Sequence, residues 1–236
     1  MIQGNTLYND LEVLYEDNHI IVVNKKASDI VQGDKTGDVT LPDKIKAFLK
    51  DKYDKPGNVF CGVVHRLDRP TSGVVVFAKT SKALSRLNEQ FRDKSTQKTY
   101  WAVVETQPSK KSDTLVHFLK KNEKQNKSYA SKEEKPGSKK AILTYTSLIS
   151  SDKYHLLEVE LETGRHHQIR VQLSTIGSII KGDVKYGARR SNKDASIHLH
   201  ARYLKLTHPT TKEVIEITAP LPNEALWQWF EKEVKK

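Results

Sequence analysis

Two short runs of β-branched residues limit most strongly what this chain can fold into. The segment HIIVVNKK (19–26) holds four consecutive β-branched residues between polar ones, and GVVVFAK (73–79) has the same character. Such runs are typical of buried β-strands. Further strands are predicted at 99–105, 141–149, 154–162, 197–206 and 213–218.

Apolar residues recur at helical spacing in four other segments. Helices are predicted at 40–53, 80–94, 164–177 and 222–236, the last capped by Asn223. Strands and helices do not alternate regularly, and several strands are joined by short turns. This favours an α+β fold, with a mixed, largely antiparallel central sheet and flanking helices and loops, over a doubly wound parallel sheet. We expect residues 1–236 to form one domain.

Two segments are ambiguous in function. Residues 119–140 hold 8 Lys against 3 Glu and almost nothing apolar, which predicts a flexible basic insertion in the form of a loop. It is either a solvated insertion or an arm that contacts RNA, and charge alone does not decide between them. In 197–206, the residues His198, His200 and Arg202 alternate with apolar ones, which predicts a half-buried strand with a polar face.

Composition excludes several classes of protein. The formal net charge is +11, with 40 Lys and Arg against 29 Asp and Glu, which favours a polyanionic partner slightly over a merely solvated surface. Cys61 is the single cysteine, so no intrachain disulfide forms. No signal peptide and no run of 18 apolar residues is present. We therefore expect a cytoplasmic protein with no membrane partner.

Common cofactor motifs are missing from the sequence. It contains no GxxxxGK[ST] or GxGxxG loop for nucleotides. The zinc motifs HExxH and CxxC are missing as well. We therefore expect no cofactor and no metal.

The remaining chemistry centres on Asp68, which lies between Arg66 and Arg69 just before the valine run. One interpretation is a structural salt bridge or a turn cap. The other is a carboxylate that neighbouring cations keep ionised, ready to act at an electrophilic carbon while the guanidinium groups bind phosphates. The second interpretation suits chemistry on a nucleotide.

The segment HRLDRPTSG (65–73) resembles the HRLD-x-x-TSG signature of RNA pseudouridine synthases of the RluA type. Four more segments resemble this family and follow in family order over about residues 12–222: KTYWAVVE (98–105), GRHHQIR (164–170), IIKGDVKYG (179–187) and LHARYLKLTHPTTKE (199–213). A single motif of this kind is a weak signal, whereas five in order are a strong one. The sequence departs from the family at KKASDI, where KP-x-G is usual, and at Gln172, where His is usual.

The resemblance implies a fold, a reaction and a partner. The fold has a central RNA-binding cleft, and the reaction isomerises uridine in RNA to pseudouridine without a cofactor. Ribosomal RNA is the first expected substrate and tRNA the second. Many relatives carry an N-terminal RNA-binding module of the S4 type, which we expect this chain to lack, and we expect a monomer.

The resemblance also assigns roles to individual residues. Asp68 is the expected catalytic carboxylate, and Tyr100 is expected to stack on the target base. Arg170 is the expected ion-pair partner of Asp68, with Arg165 as the alternative. Arg66 is expected to take part in base flipping. His167 and Gln168 are weaker candidates for shaping the RNA-binding site, with packing as their alternative role.

Two rival functions come from other classes. A non-catalytic RNA-binding assembly factor on the same fold would be marked by loss of Asp68 or Tyr100, and both are present. A generic glycoside-processing enzyme would want a second acidic residue near Asp68, whereas the motifs supply arginines.

Overall fold

The computed structural model describes residues 7–33 and 37–236, so residues 1–6 and 34–36 of the predicted domain lie outside it. The chain divides into two compact units. The first unit comprises the residues up to Thr96 together with Tyr203–Pro220, and the second comprises Gln97–Arg202 together with Leu221–Lys236. The assignment of residues 1–236 to one domain stays a prediction.

The first unit is built around two buried strands, both at the predicted positions. Its strands follow the order β1-β2-β4-β10, with β3 paired to β4 and β11 paired to β10. Residues on β2 and β4 pair antiparallel from Ile20 opposite Ala78 to Lys25 opposite Gly73. Its elements are β1 Val13–Glu16, β2 Ile20–Lys25, α1 Leu41–Lys52, β3 Gly62–Val63, β4 Ser72–Ala78, α2 Ser81–Arg92 and β11 Val214–Thr218.

The two helices of the first unit begin at capped threonines. The Thr40 side chain accepts a hydrogen bond from the Asp43 amide, and the Asp43 carboxylate accepts one from the Thr40 amide, which forms a capping box. Thr80 caps α2 through the Ala83 amide. Both helices follow the predicted apolar spacing, and Ile45, Leu49 and Leu87 are fully buried.

The second unit carries strands in the order β10-β5-β9-β8-β6-β7. The strand β10 runs Leu199–Thr207 and therefore has its first residues in the second unit and its last in the first. The predicted pairing of β8 with β9 is confirmed as antiparallel. The other elements are β5 Gln97–Val104, β6 Ser112–Asn122, β7 Lys127–Ser131, β8 Lys139–Ser150, β9 His155–Leu161, α3 Gln168–Thr175, a short 3₁₀ helix Val184–Tyr186 and α4 Ala225–Val234.

Helices and antiparallel strand ladders together confirm the predicted α+β class, with a largely antiparallel sheet. Among the residues that the structure describes, no helix is both long and apolar enough to cross a membrane.

The lysine-rich segment 119–140 is not one continuous loop, so the prediction is wrong for 119–122, 127–131 and 139–140, which are strand. Strand β6 extends to Asn122, and β7 pairs with it antiparallel from Phe118 opposite Ser131 to Asn122 opposite Lys127. Leu119 is buried, and Ala130 packs beside it against residues of α3. One small apolar face is enough to anchor a strand whose other positions are charged. That sparse pattern is easily overlooked in a run of lysines.

The predicted polar face of β10 is also wrong over the first half of the strand. His198, just before β10, and His200 within it are both buried. The ring of His198 stacks on Trp227 with centroids 5.2 Å apart. Its Nδ1 lies 2.9 Å from the Asn192 amide nitrogen. Histidine can be buried when its ring packs and its nitrogens find partners, and both conditions hold for His198.

The cap of the C-terminal helix differs from the prediction by one residue. Glu224, not Asn223, is the N-cap of α4. Its Oε2 accepts hydrogen bonds from the amides of Leu226, at 3.2 Å, and Trp227, at 3.3 Å. A glutamate also adds a negative charge at the positive end of the helix.

Replacing Glu224→Ala should therefore lower the free energy of unfolding by about 1 kcal/mol, because two helix amides lose their acceptor. Chemical denaturation measures this loss. The matched control is Asn223→Ala, which should change stability by less than about 0.5 kcal/mol. An equal or larger loss in the control would show that the cap lies at Asn223.

Candidate active site

Asp68 begins a tight turn that leads into β4. Its side chain is half-buried, and its backbone carbonyl accepts a hydrogen bond from the Thr71 amide at 3.0 Å. Gly73, two residues further on, has a φ of +117°, a conformation that favours glycine. The turn therefore gives way to the valine run within a few residues, and the position of Asp68 is tied to a fully buried strand.

The side chain of a buried lysine is hydrogen-bonded to this turn. The side chain of Lys25, the last residue of β2, is only 1% exposed. Its Nζ donates to three carbonyl oxygens, of Lys26 at 2.9 Å, Arg69 at 3.1 Å and Thr71 at 2.7 Å. An ammonium has three donors, and two of them bind carbonyls of the Asp68 turn.

Burial lowers the pKa of the Lys25 ammonium. Loss of solvation lowers its pKa to about 8, and the nearby carboxylates Asp29 and Asp68 act in the opposite direction. Lys25 thus places a positive charge beneath Asp68, in addition to the two arginines expected from the sequence. This residue was not identified from the sequence because its role depends on the fold, although a lysine two positions after a buried run, within the same strand, is a signal.

His65, the first residue of the HRLD motif, anchors the other side of the loop. Its Nε2 accepts a hydrogen bond from the Val76 amide at 3.1 Å. The ring stacks on Phe91 of α2, with centroids 4.7 Å apart. Strand β3 pairs with β4 only at Phe77 and Ala78. At Val76, the next residue of β4, the imidazole of His65 accepts the hydrogen bond in place of a strand carbonyl. Since Nε2 accepts, this ring nitrogen carries no proton.

The two arginines of the motif point to different partners. Arg66 is exposed, and its guanidinium donates to the Gln32 side chain. Arg69 is also exposed, and its Nη2 lies 2.6 Å from Asp38 Oδ2. Both side chains are within reach of solvent, as residues that bind phosphates must be. The role of Arg66 in base flipping stays a prediction.

The KKASDI segment departs from the family pattern yet adopts a turn that would suit glycine. Ser28 stands where the family has the Gly of KP-x-G, and its φ is +79°. Its amide donates to the Arg69 carbonyl at 3.0 Å. The same oxygen accepts from Lys25. This departure therefore keeps a backbone link to the Asp68 turn.

In the second unit, Tyr100 and Trp101 occupy opposite faces of β5, as the predicted register requires. Trp101 packs in a cluster with Trp227 and Phe230 of α4. Tyr100 is paired with Val159 of β9 and is also buried. The side chain of Tyr100 therefore lies on the opposite face of the strand from this cluster. A tyrosine that contacts a substrate must lie on that face, because the other face is occupied by α4.

Arg170 is held by a partner that the sequence did not predict. Its Nε lies 2.7 Å from Asp183 Oδ2, and its Nη2 lies 2.8 Å from Asp183 Oδ1. Both side chains are almost fully buried. This two-point geometry is the strongest form of an arginine–carboxylate pair. It assigns a structural role to the aspartate of the GDVKYG segment, whereas pairing of Arg170 or Arg165 with Asp68 stays a prediction.

Tyr186 of the same segment organises the surroundings of Arg170. The guanidinium lies over its ring, 5.1 Å from the centroid. Its hydroxyl accepts from the Ser128 amide at 2.9 Å and lies 2.9 Å from His167 Nδ1. Burial, with the charge of Arg170 next in effect, lowers the pKa of His167 to about 2. His167 is therefore neutral near pH 7.

Gln168 is buried, and its amide is used within the protein. Its Oε1 accepts from the Thr163 hydroxyl at 2.8 Å and from the Arg165 amide at 2.9 Å, while its Nε2 donates to the Ile142 carbonyl at 3.0 Å. His167 and Gln168 thus bond to groups within the protein, and their role in shaping the RNA-binding site stays a prediction. Arg165 is exposed, and its Nε donates to the Lys140 carbonyl at 3.0 Å.

The structure thus assembles the predicted residues in two sets. Asp68 and Arg66 belong to the first unit, whereas Tyr100, Arg165, His167, Gln168 and Arg170 belong to the second. In the part of the chain that the structure describes, no group of three or more His, Cys, Asp or Glu side chains could hold a metal ion.

Comparisons with known proteins agree on one family. A family model described as RNA pseudouridylate synthase matches residues 19–175. The chain is 34% identical to the uncharacterized RNA pseudouridine synthase YhcT of Bacillus subtilis, over 91% of this chain and 70% of that protein. It is 32% identical to ribosomal large subunit pseudouridine synthase D of Zymomonas mobilis, over the same shares.

A solved structure supports the fold. Human RNA pseudouridylate synthase domain containing 4 superposes with a TM-score of 0.75 at 24% identity, over 90% of this chain and 89% of that one.

The depressed pKa of Lys25 predicts a pH-dependent difference between the wild type and Lys25→Met. Between about pH 8 and the ordinary lysine pKa of about 10.4, Lys25 is protonated in the unfolded chain but largely deprotonated in the folded one. The wild-type free energy of unfolding should therefore increase as the pH rises through this range. Relative to Lys25→Met, the gain should approach 1.4 kcal/mol per pH unit. Urea unfolding of both proteins between pH 7 and 10.5 measures it.

Cys61 provides the control of opposite sign. Burial raises the pKa of its thiol to about 12, so the folded chain binds more protons than the unfolded one above pH about 8.5. Relative to Cys61→Ala, the wild type should therefore lose stability with rising pH. A flat difference for Lys25→Met, next to a falling one for Cys61→Ala, would refute the account of Lys25.

Replacing Asp183→Asn should destabilise the protein by about 3–5 kcal/mol, because it leaves the buried Arg170 without its counter-charge. Denaturant unfolding measures this loss. The exposed pair of Lys110 with Asp113 supplies the control, since Asp113→Asn should cost less than about 1 kcal/mol. A double variant, Arg170→Leu with Asp183→Leu, should recover part of the loss, and failure of Asp183→Asn to destabilise would contradict the pairing.

Proposed function

The chain belongs to the RNA pseudouridylate synthase family, and on this premise we propose that it isomerises specific uridines in structured RNA with Asp68 as its catalytic carboxylate. The family assignment makes the protein an RNA pseudouridine synthase, an isomerase. The observation that carries the proposal is the HRLD turn, in which a buried ammonium and a buried strand support the backbone around Asp68.

The reaction rearranges one nucleotide without adding or removing atoms. The bond between N1 of uracil and C1′ of ribose breaks, the base turns, and C5 bonds to C1′. C5 loses a proton and N1 gains one. A carboxylate assists either by attacking C1′ or by removing a proton from the sugar. Both routes require the ionised form of the carboxylate.

Tyr100 is proposed to hold the target base. A base that leaves the helical stack needs a new stacking surface, and an aromatic ring supplies about 1–3 kcal/mol per base. The position of Tyr100 on the face of β5 away from the Trp101 cluster supports this role. The tyrosine is also proposed to assist the loss of the C5 proton.

Two arginines complete the proposed machinery. Arg66 is proposed to assist base flipping by contacting the phosphate or the gap that the base leaves, and its exposure and placement two residues before Asp68 support this. Arg170 is proposed to keep the catalytic carboxylate ionised, with Arg165 as the alternative. The two hydrogen bonds that Arg170 donates to the Asp183 carboxylate fix the orientation of the Arg170 side chain.

Ribosomal RNA is the proposed substrate. The relative from Zymomonas mobilis is named for the large ribosomal subunit, and the net charge of +11 suits a polyanion. Transfer RNA is the alternative, and mapping of modified sites separates the two.

Asp68→Asn should abolish pseudouridine formation, because the amide can neither attack C1′ nor accept a proton as the carboxylate does. The measurement is pseudouridine mapping of total RNA from cells that contain the wild type, the variant or neither. A site should vanish without the protein and return only with Asp68 intact, and the RNA that bears it identifies the substrate.

The control separates loss of chemistry from loss of binding. Purified Asp68→Asn should still bind the mapped RNA, and Asp113→Asn, an exposed carboxylate in the second unit, should keep full activity. Turnover by Asp68→Asn would refute the catalytic assignment. If no mapped site depends on the protein, the proposed activity is wrong as well.

A further inference from the structure

One face of β6, β7 and β8 combines exposed aromatic, aliphatic and basic side chains. Residues directly opposite each other in a strand pair share a face of the sheet. The pairs are Lys120 with Tyr129 and, across to β8, Phe118 with Lys140 and Val116 with Ile142. We call these six residues the hairpin face: Val116, Phe118, Lys120, Tyr129, Lys140 and Ile142.

The hairpin face is the outer one, because the opposite face of these strands is packed. Leu119 and Ala141 lie in a buried cluster with Val171 of α3 and Tyr186. The buried Gln172 of α3 donates to His117 Nδ1 at 3.0 Å and to the Leu115 carbonyl at 3.1 Å. The face that supports α3 is thus fully used by the fold, and the hairpin face is available to a partner.

Large apolar groups on this face are exposed. Tyr129 is 48% exposed and Val116 is 45% exposed, while Phe118 is half-buried. Such residues cost free energy in water, and a cluster of them commonly marks an interaction site. The Tyr129 hydroxyl is fixed by a 2.6 Å hydrogen bond to Gln125, so the ring is held in one orientation.

The charges on this face have one sign. Lys120 and Lys140 lie on it, and Lys127 Nζ is 5.6 Å from the centroid of the Tyr129 ring. Asp113 is the only acidic residue in the three strands. It is paired with Tyr145, which places it on the opposite face of the sheet, near the start of β6, where its side chain is still partly exposed. Other acidic residues lie in the connecting segments, namely Glu123, Glu133 and Glu134, and on β9, where Glu158 and Glu160 are paired with Thr146 and Thr144.

Protection of a sheet edge does not explain these features. Lysines on an edge strand prevent pairing with other chains, and β7 is last in the strand order. Lys120 and Lys140, however, lie on β6 and β8, which are inside that order. Edge protection also gives no reason for an exposed tyrosine and valine.

We propose that the hairpin face binds a single-stranded segment of the RNA substrate, separately from the residues of the candidate active site. Bases stack on Tyr129 and Phe118, and phosphates lie against Lys120 and Lys140. Aromatic rings interleaved with cations on a sheet suit this ligand, because every base has a face to stack and every linkage a charge. The inference rests on the proposed RNA modification. It adds a second contact region that raises the affinity for RNA without selecting particular bases.

The binding test uses a fluorescein-labelled oligouridylate of 12 nucleotides and fluorescence anisotropy. Tyr129→Ala should weaken binding about 5-fold or more, which corresponds to the loss of one stacked base. Lys120→Gln with Lys140→Gln should lower the slope of log K against log salt by about 1.4, at about 0.7 per phosphate contact in single strands. Trp229→Ala is the aromatic control, since Trp229 is 39% exposed on α4, and it should leave affinity unchanged.

A second measurement locates the ligand. The same oligonucleotide with 5-iodouridine, irradiated in complex with the wild type, should cross-link to the peptide that contains Phe118 or Tyr129. Cross-links confined to other segments, or unchanged affinity in both Tyr129→Ala and the double lysine variant, would overturn the proposal. The lysine pair keeps the test decisive if Tyr129→Ala fails to fold.

Failure of this inference is distinguishable from failure of the proposed function. The hairpin variants should raise KM for the long RNA while kcat stays within about 2-fold, because they touch no reacting atom. A loss of kcat equal to the loss of kcat/KM would contradict the binding role. An inactive wild type with intact oligouridylate binding would refute the proposed function alone.

Discussion

The fold around Asp68 depends on a lysine that has no access to water. An ammonium moved into a buried site loses solvation, and that loss is recovered only if its protons find acceptors. Lys25 finds three backbone carbonyls, two of which belong to the Asp68 turn. The Arg69 carbonyl also accepts a hydrogen bond from the Ser28 amide, so a second backbone segment bonds to the same oxygen of this turn. The turn and the lysine therefore stabilise each other, and these hydrogen bonds hold the backbone around Asp68 in place.

Much of the fold could be predicted because local patterns and tertiary structure agree. The β-branched runs form β2 and β4, and the helices α1 and α2 lie within the predicted segments 40–53 and 80–94. The predictions failed where burial depends on distant residues. His198 is buried because Trp227, near the end of the chain, packs on it. The β6–β7 hairpin is anchored by contacts with α3 that no local window contains.

The candidate site was predictable through its motifs but not through its supports. The motif HRLD points to Asp68 directly, whereas the support of Lys25 becomes visible only when β2 pairs with β4. The sequence likewise indicated Arg170 and, separately, the GDVKYG segment. Their connection through Asp183 is a tertiary contact across 13 residues. A motif identifies which residues matter, while the side chains that position them depend on the packing of other segments.

Lysine serves two opposite purposes in this chain, and net charge cannot distinguish them. Lys25 is buried and carries a depressed pKa, so at pH 7 its charged form reduces stability relative to an ordinary lysine. Lys120 and Lys140 are exposed on a strand face, and the Lys120 Nζ also donates to the Pro136 carbonyl at 2.9 Å. A buried charge that lowers stability is better explained by what it positions than by the stability of the fold. The charge of +11 thus includes a lysine whose purpose is geometric, and the contribution of each cation to RNA binding follows from its burial.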